Sequence, residues 1–233
     1  MKIHRYIILV LALLVFSCDN DVNIDFPDRP NFPPNGTNCL RGEGAVVMQS
    51  RTIADPFTEI KSSIFADILV TQGAQEDIIL EGQQNILDQI NTEVINGELH
   101  IELDRCISIV QAVKVHITIP DIESLELEGV GDVVAQNDFD LTDLRIRLTG
   151  TGNFRLQGVA TFLDIDMTGV GDVRAFDLIS DICEVQITGV GNVEVTVNDE
   201  LDVSISGVGD VYYRGNPMIT SNVTGTGAVI DAN

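Results

Sequence analysis

The chain has 233 residues, with 36 acidic against 13 basic side chains and a net charge of −23. That balance excludes nucleic-acid backbones and anionic lipid surfaces as electrostatic partners. With 4 cysteines, 3 histidines and no C-x-x-C pair, there is little material for a zinc site.

Residues 1–17 read as a secretory signal: Lys2 and Arg5, then an apolar run from Tyr6 to Phe16, then Ser17. The run is too short to span a bilayer as a helix. Val15-Phe16-Ser17-Cys18 resembles a lipobox, which implies cleavage before Cys18 and lipid attachment to its thiol. The signal removes two bases and no acid, so the mature chain would hold 11 bases against 36 acids, a net of −25. An ordinary signal with Cys18 a bystander is the alternative.

Residues 18–42 are rich in Pro, Asn and Asp without an apolar period, and read as an acidic tether. Acids directly after a lipidated cysteine resemble the surface-export signals of Bacteroidetes lipoproteins. The expected location is therefore the outer membrane, facing out, with a periplasm-facing attachment as the alternative. Cys39, Cys106 and Cys183 remain after processing, an odd count that leaves at least one unpaired. Export permits a Cys39–Cys106 bridge.

Residues 43–120 are β-rich but irregular. Alternation and β-branched residues predict strands over 45–49, 64–71, 77–81, 92–95, 98–103 and 113–119, and 84–90 suits one short helical turn. Asn96-Gly97 is a hairpin signal. Nothing marks a linker before the second half, so 43–233 reads as one continuous domain.

From residue 121 a repeat takes over. G-x-G followed by Asp, Asn or Ala begins at Gly129, Gly150, Gly169, Gly189, Gly207 and Gly225, at intervals of 21, 19, 20, 18 and 18 residues. A period near twenty with glycine punctuation predicts an all-β solenoid, a parallel β-helix with one coil per copy. Two residues before each first glycine stand Leu127, Leu148, Met167, Ile187, Ile205 and Val223; four before stand Leu125, Ile146, Ile165, Val185, Val203 and Ser221. These even offsets form the apolar face of a strand. Val133, Phe154, Val173, Val193, Val211 and Val229 open a second strand after the corner.

The corner itself is a turn ladder: Gly129-x-Gly131-Asp132, Gly150-x-Gly152-Asn153, Gly169-x-Gly171-Asp172, Gly189-x-Gly191-Asn192 and Gly207-x-Gly209-Asp210. Paired glycines supply backbone that a Cβ forbids, and Asp and Asn tolerate left-handed turns. One residue before the glycine stand Thr149, Thr168, Thr188 and Ser206, an outward hydroxyl column that is the candidate ligand face. The alignment predicts Arg145 over Asp164 and Arg147 over Asp166 as ion pairs, and an ion-pair column through Arg155, Arg174 and Glu194. Cys183 falls in an apolar column and reads as a buried small hydrophobe. Ser221 and Asp231 make the last coil polar, as solenoid ends often are.

Leu127-Glu-Gly-Val-Gly-Asp-Val133, Leu148-Thr-Gly-Thr-Gly-Asn-Phe154 and Met167-Thr-Gly-Val-Gly-Asp-Val173 resemble the auto-transporter adhesin family with a head GIN domain. Phe57-Thr-Glu-Ile60, Phe65-Ala-Asp-Ile-Leu-Val-Thr-Gln-Gly73, Leu87 to Val94, Gly97 to Ile101 and Ile117-Thr-Ile-Pro120 extend the resemblance over roughly 45–233. It implies a right-handed β-helix-like solenoid on an envelope protein, often a lipoprotein. It implies no catalytic residues and no cofactor.

Enzyme chemistry finds no constellation. The acids are spread one per coil rather than paired for glycoside cleavage. Tyr212 is the best outward aromatic for a sugar. No G-x-S-x-G occurs, and His100 and His116 fall within predicted strands without an evident partner. One Asp per twenty residues is sparse for calcium, and a strand rather than a helix follows each glycine pair, which disfavours phosphate cradling. The expectation is a non-enzymatic module with a glycan or protein partner at the cell surface, membrane attachment through the lipid alone, self-association open, and no metal. An envelope scaffold and a β-helix polysaccharide-active enzyme are the alternatives.

Overall fold

The computed structural model describes residues 39–53, 55–108 and 111–233. Cys18 and most of the tether lie outside these residues. The chain forms a β-solenoid.

One face of each coil precedes the glycine corner and the other follows it. The preceding face stacks, in parallel, Glu98–Leu103, Glu59–Ser62, Ser124–Leu127, the ends of Phe139–Leu148, Phe154–Met167, Val173–Ile187 and Val193–Ile205, and finally Met218–Val223. Phe154–Met167, Val173–Ile187 and Val193–Ile205 begin on the following face, so each wraps from one corner to the next. Ile146 aligns with Ile165, Ile165 with Val185, and Val185 with Val203. The register is the one the glycine alignment predicts. Leu144, Leu163, Cys183 and Leu201 stack likewise, all nearly or wholly buried. Columns of like aliphatic side chains thus give the core, which no single coil could bury alone.

Coil order in space differs from order in sequence. The coil made by Glu59–Ser62 and Asp67–Gln72 sits between the coil of Glu98–Leu103 with Lys114–Ile119 and the coil of Ser124–Leu127 with Val133–Ala135. The chain forms an inner coil first, places the second outside it, and then returns past both. Beyond them the pairing turns antiparallel. Asp77–Gln83 joins Lys114–Ile119, Val46–Arg51 joins Asp77–Gln83, and Ile90–Ile95 forms a hairpin with Glu98–Leu103 through Asn96-Gly97. Asn96 has φ 55° and Gly97 φ 87°, as the two-residue hairpin requires. The helical turn is Gln84–Leu87, shorter than 84–90.

Leu40–Arg41, within the span read as tether, pairs in parallel with Ile107–Ser108. The Cys39–Cys106 bridge that export permits is present beside it. Cys183 is free and buried. At the far end the last coil is less polar than Ser221 and Asp231 imply, because Met218, Ile219 and Val223 are exposed there as well.

Candidate functional site

The glycine corners stack into one ridge along the solenoid. Their middle residues form a continuous column of bridges: Phe65, Val130, Thr151, Val170, Val190, Val208 and Thr226. The glycines on either side have two separate duties. At Gly150 a Cβ would lie 2.1 Å from the carbonyl oxygen of Gly129 in the preceding coil. At Gly152 it would lie 1.7 Å from the Gly131 oxygen, and the φ of +156° adds a backbone region that side chains disfavour. The corners therefore stack backbone on backbone.

That contact explains why the first corner escaped the repeat pattern. Ser63-Ile64-Phe65-Ala66-Asp67 occupies the slots of Glu128-Gly129-Val130-Gly131-Asp132. Among the described residues the bridge column begins at Phe65. Ile64 and Ala66 therefore have room for the Cβ that later coils must omit.

The Asp and Asn residues are not left-handed turn formers, as the sequence reading expects. Among the described residues Asn96 alone, apart from glycines, has a positive φ. Their work is to bond the coils. The Oδ1 of Asp67 accepts the Asp132 N–H at 3.1 Å, Asp132 that of Asn153 at 3.0 Å, Asn153 that of Asp172 at 3.1 Å, and Asp172 that of Asn192 at 3.0 Å. Asn192 accepts from Asp210 at 3.0 Å, and Asp210 from Ala228 at 2.8 Å. These oxygens face backbone donors rather than an ion. Among the described residues no group of three or more His, Cys, Asp or Glu side chains is placed to hold a metal.

Outward from the ridge stand two parallel columns. Thr149, Thr168, Thr188 and Ser206 are all exposed, with Ser63 and Glu128 above and Thr224 below. Beside them Phe65, Val130, Val170, Val190 and Val208 are between 41 and 55% exposed. The two columns are offset by two residues across the corner, and their repeat along the stack is about 4.8 Å. The hydroxyl column was legible in the sequence. The valine column was overlooked, although the middle residue of every G-x-G is Val or Thr and never charged.

At the top of the hydroxyl column Lys61 lies 2.6 Å from Glu128 and 3.4 Å from Glu126. The hydrogen bond from Lys61, helped by one from Ser63, holds the Glu128 carboxyl below its ordinary range; the bond to Glu128 in turn raises the Lys61 ammonium. Burial pushes the Cys183 thiol up, far from any reactive range.

Other expected contacts divide. Arg145 meets Asp164 at 3.1 Å. Arg147 is in register with Asp166 but makes no ion pair with it, and one Asp166 oxygen is buried without a partner. Arg174 is ion-paired to Asp172 of its own coil at 3.2 Å, not to Glu194 across the column. Tyr212 donates to Asp210 at 3.3 Å, and that carboxylate raises its phenol pKa. His100 and His116 each meet a carboxylate, Glu98 at 2.7 Å and Glu81 at 2.9 Å, partners the sequence did not reveal. A shallow concavity of about 660 Å³ on the preceding face is lined by Glu59, Asp121, Glu123, Asp143, Arg145 and Asp164. It is acidic and open, and its Asp164 is engaged by Arg145.

The fold and ridge define a corner-laddered β-solenoid with a regular hydroxyl and valine surface. The chain belongs to the family described as "Putative auto-transporter adhesin, head GIN domain", whose pattern matches residues 56–217. A structure described as a "putative adhesin" from Bacteroides fragilis aligns with TM-score 0.69 at 22% identity, covering 82% of this chain and 99% of that one. Another such adhesin, from Parabacteroides distasonis, aligns with TM-score 0.54 at 17% identity over 84% of this chain and 100% of its own. A "Putative lipid binding protein" from the same species aligns with TM-score 0.52 at 19% identity, over 83% and 99%. No curated protein matches the chain.

Proposed function

We propose that this chain is a non-enzymatic, lipid-anchored envelope protein whose solenoid serves as an adhesin-like binding module. Cys18 carries the lipid, the acidic tether spaces the solenoid from the outer membrane, and the ligand is a glycan or protein at the cell surface. The observation that carries this reading is the double column on the corner ridge. Thr149, Thr168, Thr188 and Ser206 offer hydroxyls, and Val130, Val170, Val190 and Val208 offer methyl groups, at one fixed repeat. Such a surface makes many weak, equivalent contacts with an extended partner, and affinity grows by multivalency rather than from one deep pocket. Family membership supports the adhesin class.

The test is to change Thr149, Thr168, Thr188 and Ser206 together to Lys and measure whole-cell adherence and glycan-array capture. Loss of capture with an unchanged melting temperature is expected. Undiminished capture by the folded variant would sink the ridge as the ligand face. Protease digestion of intact cells, with and without Asp19 and Asp21 neutralised, tests the location. Protection until lysis would replace the surface module with a periplasmic scaffold.

A further inference from the structure

The end of the solenoid remote from the antiparallel strands differs from the rest of the molecule in three ways. Among the described residues its last strands, Met218–Val223 and Val229–Asp231, each pair on one side only, with Val193–Ile205 and Val211–Gly215. Their other side presents free backbone donors and acceptors. The apolar columns also run out into solvent there. Leu201 and Ile205 are fully buried, yet their column successors Ile219 and Val223 are each 41% exposed, and Met218 is 75% exposed. Finally, residues 215–230 carry no charged side chain, in a chain whose net charge is −23.

We propose that this edge is a self-association surface, and that its partner is the same edge of a second copy in a tail-to-tail dimer. Charge selects the partner and the pairing. Two copies of so acidic a protein repel one another over most approaches. The uncharged stretch, bounded by Arg214 and Asp231, is where they meet without that cost. The opposite end is a poorer mate. Its outer strands Val46–Arg51 and Ile90–Ile95 carry Arg51 and Glu93, and Glu43 and Glu98 stand beside them. A two-fold axis through Met218–Val223 pairs the strand antiparallel with its twin and brings Ile219 and Val223 of both copies into one continued core. Being isologous, the contact closes at two copies, whereas a tail-to-head contact would grow without limit. This inference is independent of the ligand reading of the ridge.

Sedimentation of the full exported chain in density-matched detergent tests it, together with Ser221→Asp and Ser221→Lys. Ser221 is exposed at the middle of the edge strand, between Ile219 and Val223. Wild type is expected at twice the chain mass. Each variant alone, with like charges facing across the axis, is expected at half that mass. An equimolar mixture of the two is expected to return to the dimer. That rescue also reports that both variants fold; should they not, Thr220→Asp and Thr220→Lys on the outer side of the same strand repeat the test. A monomeric wild type, variants that remain dimeric, or a mass that climbs past two chains with concentration would each overturn the proposal.

Discussion

Asp132 and Asn153 meet at one oxygen. The Oδ1 of Asp132 accepts both the backbone N–H of Asn153 at 3.0 Å and its side-chain amide at 2.8 Å. Along the ladder Asp132, Asn153, Asp172, Asn192 and Asp210, amides separate the carboxylates. An Asn between two acids donates where a carboxylate would repel. Asn153→Asp should therefore destabilise the fold by about 1–3 kcal/mol at neutral pH. The loss should shrink below the carboxylate range, because the new acid, flanked by Asp132 and Asp172, protonates there. Denaturant melts at neutral and acid pH read the difference; equal losses at both would show that charge is not the reason for the alternation.

Gly152→Ala and Gly97→Ala should separate sharply, although both glycines have positive φ. At Gly97 nothing lies within 4 Å of a built Cβ, so the cost is that of the backbone region, about 1–2 kcal/mol. At Gly152 the methyl meets the Gly131 carbonyl, and the stack must part. Loss of the cooperative melt is expected for Gly152→Ala alone, measured by circular dichroism on heating.

The Lys61–Glu128 pair should leave a signature in stability against pH. Glu128 titrates below its ordinary value, so its contribution is present above that value and lost as pH falls through the depressed one. Lys61 titrates above its ordinary value, so its contribution is present below that value and lost as pH rises through the raised one. Lys61→Met should therefore cost about 0–1 kcal/mol near neutrality, as for solvent-screened pairs, and the gap to wild type should close at both extremes. A pH-independent gap would assign the loss to packing.

Cys183 should resist thiol reagents in the native state and react once unfolded, since it is wholly buried between Leu163 and Leu201. Cys183→Ser places a hydroxyl in that apolar column at a cost of about 1–3 kcal/mol. Rapid native labelling would contradict the burial.

Reduction of Cys39–Cys106 should lower stability by about 4 kcal/mol in the loop-entropy view, given a sequence separation of 67. Chemical denaturation of the oxidised and reduced chains, with Cys39→Ser as the unambiguous variant, measures it.

The later coils were legible because their glycines are forced. Stacked backbones exclude a Cβ, so Gly129 to Gly225 recur, and the register of Ile146, Ile165, Val185 and Val203 follows by counting. The first coil hid because its corner carries the buried Ile64 and Ala66 where later coils carry glycine, which removes the glycine signal while keeping the geometry. Its position between later segments was equally hidden, since strand order depends on contacts such as Glu59–Ser62 with Ser124–Leu127, remote in the chain. The ladder residues read in the sequence as turn formers. Their bonds join coils 18 to 21 residues apart and leave no local trace. On the ridge, Thr149, Thr168, Thr188 and Ser206 announced themselves by alternation, whereas the valines between glycines looked like filler.

The bridge between Cys39 and Cys106 also sets where tension enters the molecule. A pull on the chain ahead of Cys39 crosses the sulfurs to Cys106 and travels on toward Lys114–Ile119, leaving residues 40–105 slack. Without the bridge the same pull would first meet Leu40–Arg41, a two-residue strand, and then Val46–Arg51, which among the described residues pairs on one side only. The covalent shortcut thus takes these easily peeled strands off the line of force, and a molecule tugged from its amino-terminal side would be gripped at Lys114–Ile119, a strand paired on both sides, instead of unravelled from its end.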